Sequence, residues 1–358
     1  MSEKTNPGRR RALKTMGLGG GALALATLGG RRPWRMPQAQ AASNAIVVGT
    51  WGGDYGNAIL STVGKMAQKQ AGIDVKTLVG GVSSRLTKVL VDARGKQSSM
   101  DLLALDDASM YECGSRGALA NVDDRAVPRL KHAFPQFVLK GSVPHIYSAM
   151  VIVYNRDKVS KPPKSVKDLW AKEYAGKVGF ADANFAFVVQ MIANAFGGKP
   201  SAFKAAQDAL LTLKKSGITT FSSTDATANA FRGGDMLATL VWKARAFMWN
   251  KAGLNLGVSV PSEGAFPVVF DIGMERYSPN VENAHRVLND FLLPENQLAF
   301  ANLMGYLPTV DDAKVPADLH AKIGFTDAER EHFVKPDYAY IEKHNIDISN
   351  WWSQNISG

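Results

Sequence analysis

Short apolar runs alternate with amphipathic segments along the chain from residue 44 onward. Residues 44–51, 73–80 and 100–107 are rich in valine, isoleucine and leucine, which is typical of buried strands. Residues 55–72 and 83–96 lie between them and space their apolar positions as an amphipathic helix does. This strand, helix, strand, helix, strand order predicts a mainly parallel sheet covered by helices.

The alternation continues with a different rhythm, beginning with a long predicted strand at residues 147–155. Shorter strands are expected at residues 177–182 and 235–242, and helices at residues 165–176, 184–198, 201–217, 225–234, 244–253 and 280–293. The second α/β unit interrupts the first. We therefore expect one lobe from residues 42–148 plus 269–358, with the C-terminal helices, and a second lobe from residues 149–268. This layout predicts a ligand cleft between lobes, beyond the carboxyl ends of the strands.

The first 41 residues follow the pattern of an export signal and not that of a folded segment. Residues 8–14 combine paired arginines with two apolar residues and a lysine, and an apolar run with six glycines follows at residues 16–30. Ala39 and Ala41 provide the small residues of a cleavage site. The apolar run is too short to span a bilayer, which takes about 20 apolar residues. We predict a cleaved twin-arginine-type (Tat) signal peptide and a periplasmic protein; a disordered basic tail or a signal anchor are the alternatives.

The leader accounts for most of the excess positive charge. The whole chain carries +10 at pH 7, but residues 1–41 hold eight of the basic residues and one acidic residue. The remaining 34 basic and 31 acidic residues nearly balance. A nucleic-acid-binding protein needs a basic face on the folded domain, so we expect no nucleic-acid partner.

Enzyme and metal chemistry find little support in the sequence. The six histidines lack the spacing of metal ligands, and neither H-E-x-x-H nor G-x-S-x-G occurs. Cys113 is the single cysteine, and we expect it to pack as a small hydrophobe. A ferric-iron receptor would use neighbouring tyrosines, but residues 337–340 (DYAY) come late in the chain and favour a packing role. We therefore expect no enzyme activity, no cofactor and no metal.

Several segments in order resemble one family. "IVVGTWGGDYGNAI", "DLWAKEYAGKVGF", "PSEGAFPVVFDIG" and "NAHRVLNDFLLPENQLAFANLMGYLPT" are similar to the periplasmic spermidine/putrescine-binding proteins, over residues 46–310. The resemblance implies a type 2 periplasmic-binding-protein fold with two α/β lobes and a hinge. It further implies capture of a small solute by lobe closure, as a monomer that serves the permease and ATPase of an ABC transporter.

Candidate ligand residues follow from strand ends and from the positions of the family's ligand loops. Trp51 and Tyr55 offer rings after the first strand, and Asp54 would cap the next helix or meet a cation. The further candidates are polar groups at strand or helix ends: Ser83 for an anion or a cap, Asp106 and Asp107 for an amine or a cap, Tyr147 through its hydroxyl, and Asp182 in the second lobe.

The segment "LVWKARAFMW" at residues 240–249 departs from the family. Trp242 is a further candidate ligand residue. Polyamine receptors usually carry an acidic residue after this tryptophan, whereas Trp242 is followed here by Lys243 and then Arg245. A cation beside a bound ammonium is repulsive, whereas a guanidinium at a helix start suits a carboxylate. We hypothesise a carboxylate-bearing, amino-acid-like ligand whose amine meets Asp106 or Asp182. A true spermidine/putrescine receptor, with Arg245 facing solvent, is the alternative.

Overall fold

The computed structural model describes residues 44–357, so the predicted signal peptide lies outside the described residues. The strands are β1 Ala45–Thr50, β2 Asp74–Val79, β3 Leu102–Asp106, β4 Ser142–Asn155, β5 Gly179–Ala181, β6 Thr219–Phe221, β7 Ala238–Trp242, β8 Leu256–Ser259, β9 Phe266–Met274 and β10 Leu307–Pro308. The α-helices are α1 Gly53–Ile59, α2 Lys65–Ala71, α3 Val82–Gly95, α4 Asp107–Ser115, α5 Phe185–Gly197, α6 Phe203–Lys215, α7 Thr224–Gly233, α8 Lys243–Lys251, α9 Val281–Phe291, α10 Pro294–Met304, α11 Ala317–Ile323, α12 Asp327–Glu331 and α13 Tyr338–Asn355. None of these described helices is long and apolar enough to cross a membrane.

Eight strands form one sheet, and β5 and β6 form a separate parallel pair. The main path of the large sheet is β10-β4-β9-β3-β1-β2, and β7 and β8 also pair with β4. β1 runs parallel to β2 and β3, as the alternation of strands and helices predicts. β4 pairs antiparallel with β7, β8, β9 and β10. The long strand β4 therefore pairs with four other strands of the large sheet.

β4 begins earlier than its apolar pattern predicts. The run starts at Tyr147, whereas the strand starts at Ser142 and is buried along all 14 residues. Pro144 and His145 interrupt the apolar pattern, but Tyr55 bonds to the His145 ring and encloses it. Tertiary packing buries this ring and pairs its Nδ1, although its Nε2 has no hydrogen-bond partner among the described residues. Local hydrophobicity therefore underestimates the strand.

Three hydrophobic clusters contain residues of both β4 and β9. One surrounds β1, β2, α9 and α10 and includes Ile146 of β4 and Ile272 of β9. A second surrounds α5, α6, β7 and α13 and includes Ile152 of β4 and Phe266 of β9. A third packs against α8 and α11. The predicted boundaries near residues 148 and 268 fall inside these two strands.

Local chemistry explains where several helices end. α2 closes at Gly72, whose φ of 65° is the left-handed conformation that glycine adopts without strain. α5 closes in the same way at Gly198. The helix predicted at residues 165–176 is instead two 3₁₀ turns, Val166–Trp170 and Lys172–Tyr174. Ser165 and Asp168 form a capping box that starts the first turn, but the chain extends again at Ala171.

Candidate ligand-binding site

A cavity of about 570 Å³ lies beyond the carboxyl ends of β1, β3 and β7. We call it the strand-end cavity. Its wall combines aromatic rings, three carboxylates and one guanidinium: Trp51, Gly52, Gly53, Asp54, Tyr55, Val82, Asp106, Ala183, Asn184, Phe187, Ser222, Ser223, Thr224, Asp225, Trp242, Arg245, Phe270, Met304 and Tyr306. β1 and β3 run in one direction and β7 in the opposite direction. The carboxyl end of β7 therefore approaches those of β1 and β3 from the other side of the cavity, which brings together loops distant in sequence.

Six of the ten predicted site residues line this cavity. They are Trp51, Asp54, Tyr55, Asp106, Trp242 and Arg245. Each is the last residue of a strand, follows a strand directly or lies in the first turn of the next helix. The remaining four, Ser83, Asp107, Tyr147 and Asp182, do not line this cavity.

Aromatic rings form the apolar part of the wall. The Trp51 ring packs edge to face against Tyr55 and Phe270, with ring centroids 5.1 and 5.2 Å apart. Trp242 packs against Phe187 at 4.9 Å. The Tyr55 hydroxyl points inward to His145 Nδ1 at 3.0 Å, and burial raises the pKa of Tyr55. Tyr55 therefore offers its ring and not its hydroxyl to the cavity.

Arg245 is the cation that reaches the strand-end cavity. It lies in the first turn of α8, directly after β7, and its guanidinium contacts the Met248 sulfur. Its Nε is buried and has no hydrogen-bond partner among the described residues. Burial raises the pKa of Tyr306, and the charge and hydrogen bond of Arg245 oppose that rise. A half-buried guanidinium with unused donor capacity is a site for an anionic group.

Lys243 turns away from the cavity. Its ammonium donates to the Gly324 carbonyl and lies 4.7 Å from the centroid of the Phe325 ring. Burial lowers the pKa of Lys243. The two cations of "WKAR" therefore have different roles, because residues two apart on a helix face different directions.

The three carboxylates of the wall differ in burial. Asp106 is 9% exposed, caps α4 through the Ser109 backbone and hydroxyl, and has a pKa raised by burial. Asp54 and Asp225 are exposed and line the wall from the first turns of α1 and α7. The predicted capping role of Asp54 is wrong, because Gly52 holds the N-cap position. Asp225 was not among the predicted site residues, although it lies in the first turn of the helix that follows β6.

Asp107 and Tyr147 line a second cavity of about 830 Å³. Side chains alternate across a strand, so Val269 faces this second cavity while Phe270 faces the strand-end cavity. Asp107 is fully paired, since it accepts from the amide of Val269 at 3.0 Å and from the Tyr338 hydroxyl at 2.9 Å. Burial raises its pKa to about 7. This carboxylate is structural.

Ser83 and Asp182 also lie outside the strand-end cavity. Ser83 is exposed, and Gly81 holds the N-cap position of α3 that the sequence analysis gave to Ser83. Asp182 accepts from Trp352 Nε1 at 2.7 Å and from the Ser357 hydroxyl at 3.0 Å. It anchors the C-terminal segment, whereas its neighbour Ala183 lines the cavity.

Arg85 belongs to the site although the sequence analysis did not single it out. It is 3% exposed, and its guanidinium lies 4.2 Å from the centroid of the Trp51 ring. It donates to the carbonyls of Ala104 and Gly80. An arginine on an amphipathic helix is usually solvated, so no local pattern distinguishes this one.

The tyrosine cluster at residues 337–340 is not placed to bind metal in the strand-end cavity. Tyr338 is bonded to Asp107 and lines the second cavity. Among residues 44–357, the one group able to offer three ligand atoms to a metal is His132, Asp311 and Asp312, and both aspartates are exposed. Cys113 is buried, as predicted.

Comparison with known proteins gives a consistent result. The family profile described as bacterial extracellular solute-binding protein matches residues 62–326. The spermidine/putrescine-binding periplasmic protein of Escherichia coli K12 is 26% identical over 224 residues, which are 59% of this chain and 64% of that relative. The matched region thus spans less than two thirds of the relative's length.

Solved structures show the same fold at low identity. The periplasmic binding protein MotA of Agrobacterium tumefaciens B6, in complex with glucopine, has a TM-score of 0.74 at 18% identity, covering 87% of this chain and 99% of that one. The periplasmic binding protein AgtB of A. tumefaciens R10, in complex with agropinic acid, has a TM-score of 0.73 at 16% identity, covering 87% and 98%. The predicted fold class, that of the periplasmic binding proteins, is confirmed.

Proposed function

The chain belongs to the bacterial extracellular solute-binding protein family, and on that premise we propose that it is the periplasmic receptor of an ABC importer. It captures a small polar solute in the strand-end cavity and presents the closed form to the permease and ATPase of the importer. β4 and β9 contribute to the clusters around α9 and α10 and around α5 and α6, and they are the strands about which two lobes would close. Ligand contacts made only in the closed state would drive that closure.

The ligand we propose carries a carboxylate that binds Arg245. The observation that carries this proposal is that the guanidinium of Arg245 lines the cavity and forms no ion pair with a carboxylate within residues 44–357. Asp54 and Asp225 are exposed on the same wall and suit an ammonium at the other end of the ligand. An amino acid with separated charges satisfies both groups. Asp182, which the sequence analysis offered for the amine, is occupied by the C-terminal segment.

A polyamine is the competing ligand. Three carboxylates line the cavity, and the Escherichia coli relative is named for spermidine and putrescine. Against it stands Arg245, because a cation beside a bound ammonium in a dewatered site is repulsive. One panel of ligands separates the two proposals.

Titration calorimetry with 4-aminobutyrate, glutarate, putrescine and spermidine tests the ligand class. We expect Arg245→Met to weaken the carboxylate ligands by at least about 30-fold, since truncating one partner of a buried charge pair costs about 2 kcal/mol or more. Arg286→Met, an exposed arginine on α9, is the control with the same charge change. Putrescine or spermidine bound at micromolar affinity or better, with no change in Arg245→Met, contradicts the carboxylate proposal.

Export through the Tat route is a separate proposal that concerns residues 1–41. It is tested by replacing Arg9 and Arg10 with lysine and fractionating the cells. We expect the protein to stay in the cytoplasm with its leader uncleaved, whereas the unaltered chain is processed and periplasmic. Unimpaired export of the double variant contradicts the Tat route but leaves the receptor function untouched.

A further inference from the structure

Arg85 lies behind the wall of the strand-end cavity and is held rigidly there. Its Nε and Nη2 donate to the Ala104 carbonyl at 3.1 and 2.8 Å, and its Nη1 donates to the Gly80 carbonyl. Burial lowers the pKa of Arg85 to about 10, and nearby Tyr55 and Asp106 oppose the shift. The guanidinium is therefore charged at neutral pH and cannot swing away without breaking buried hydrogen bonds.

This guanidinium occupies one face of the Trp51 ring. The centroid of that ring lies 4.2 Å from the guanidinium carbon, which is a stacked cation–π contact. A ligand that stacks on Trp51 can use only the opposite face. A ligand ammonium placed there would have a fixed positive charge behind the ring, so the aromatic wall loses its attraction for cations.

The same guanidinium offsets the charge of Asp106. The attraction between the two groups opposes the shifts that burial causes in each pKa. Asp106 is also committed to Ser109, whose amide and hydroxyl donate to its two carboxylate oxygens at 3.0 and 3.1 Å. Both oxygens of Asp106 therefore already accept a protein donor, and the positive charge of Arg85 reduces the attraction of this carboxylate for a ligand ammonium.

We propose that Arg85 is a specificity-determining residue that excludes a ligand ammonium from the wall formed by Trp51 and Asp106. It acts through those two residues and does not itself line the cavity. The proposal rests on the proposed receptor function. Arg85 would reject ligand amines, whereas Arg245 would attract ligand carboxylates. Removing Arg85 should therefore create affinity for an amine, an effect that loss of stability cannot mimic.

The test measures putrescine and 4-aminobutyrate binding to the full chain by titration calorimetry. The two probes differ at one end, where putrescine carries an ammonium and 4-aminobutyrate carries a carboxylate. We expect Arg85→Gln to bind putrescine about 10-fold more tightly than the unaltered protein. Arg94→Gln is the matched control, because it removes the same charge from an exposed position on α3 and should change putrescine affinity by less than about 2-fold. Unchanged putrescine affinity in folded Arg85→Gln, or an equal gain in Arg94→Gln, overturns the proposal.

A second measurement needs no change at Arg85, in case that variant fails to fold. Trp51 is one of seven tryptophans, so the difference between the unaltered protein and Trp51→Phe isolates its fluorescence. We expect the ratio of iodide to caesium quenching of this component to exceed that of neutral N-acetyltryptophanamide by at least about 2-fold, because the field at the ring is positive. A ratio equal to or below that of the neutral standard overturns the proposal.

The outcomes separate this inference from the proposed function. A preference of the unaltered protein for putrescine over 4-aminobutyrate contradicts the carboxylate ligand. A wild-type preference for 4-aminobutyrate that is lost in Arg245→Met, with no putrescine gain in Arg85→Gln, contradicts the role of Arg85 alone.

Discussion

The strand-end cavity and the second cavity share strand β9, but the polar groups of their walls differ in how they are paired. Asp106 and Asp107 are adjacent, yet Asp106 faces the first cavity and Asp107 the second. In the second cavity the carboxylate of Asp107 receives three donors of the protein itself. In the strand-end cavity the Arg245 guanidinium has no carboxylate partner among residues 44–357, and Asp54 and Asp225 are exposed. Internally satisfied groups stabilise the fold, whereas groups with unused capacity are available to a ligand.

Replacing Asp107 should have the largest effect on stability among the residues of the two cavities. Asp107→Ala leaves the amides of Val269 and Ala108 and the Tyr338 hydroxyl without their acceptor. Each buried donor left unpaired costs about 1–3 kcal/mol, so we expect the free energy of unfolding to fall by at least about 3 kcal/mol. Asp54→Ala is the matched control in the other cavity and should change it by less than about 0.5 kcal/mol. Urea unfolding measures both, and equal effects would contradict the distinction between the cavities.

The pH dependence of stability sharpens the same contrast. Burial raises the pKa of Asp107 from 3.8 to about 7, so the folded state holds a proton that the unfolded state has released over this range. This group should therefore lower the free energy of unfolding as pH rises from about 4 to 7, by about 1.4 kcal/mol per pH unit at most. Asp107→Asn should flatten that slope in urea titrations at successive pH values. An unchanged slope would show that Asp107 ionises freely in the folded state.

A smaller loss of stability is expected at Asp182, which joins the C-terminal segment to the wall of the strand-end cavity. Asp182→Ala removes the acceptor of Trp352 and Ser357, and residues 183 and 184 continue directly into the cavity wall. We expect a loss of about 1–2 kcal/mol in stability together with a few-fold weaker ligand binding. Ser357→Ala removes one of these donors and serves as the milder control. Unaltered ligand affinity in Asp182→Ala would show that the C-terminal anchor does not position the wall.

Much of the site could be predicted because the carboxyl ends of strands from both directions of the sheet meet at one cavity. Trp51, Asp106, Trp242 and Arg245 all lie at the carboxyl end of a strand that the apolar pattern identifies, and all of them line one cavity. Ser83 was misassigned because α3 begins after Gly81, which makes Ser83 an exposed second residue of the helix. Asp182 was misassigned because its partners Trp352 and Ser357 are distant in sequence. Asp107 was also misassigned, because its side chain points toward the second cavity while that of its neighbour Asp106 points toward the strand-end cavity.

The sequence by itself determined the class of this protein: the order of strands and helices, the family resemblance and the place of Arg245 at a strand-to-helix turn. These follow from local apolar periodicity and from chain order, which need no knowledge of distant contacts. Only the tertiary structure decided that Arg245 and not Lys243 reaches the cavity, and that Arg85 stacks behind Trp51. A side chain's direction and its partners depend on atoms far away in sequence, which become neighbours only when the chain is folded.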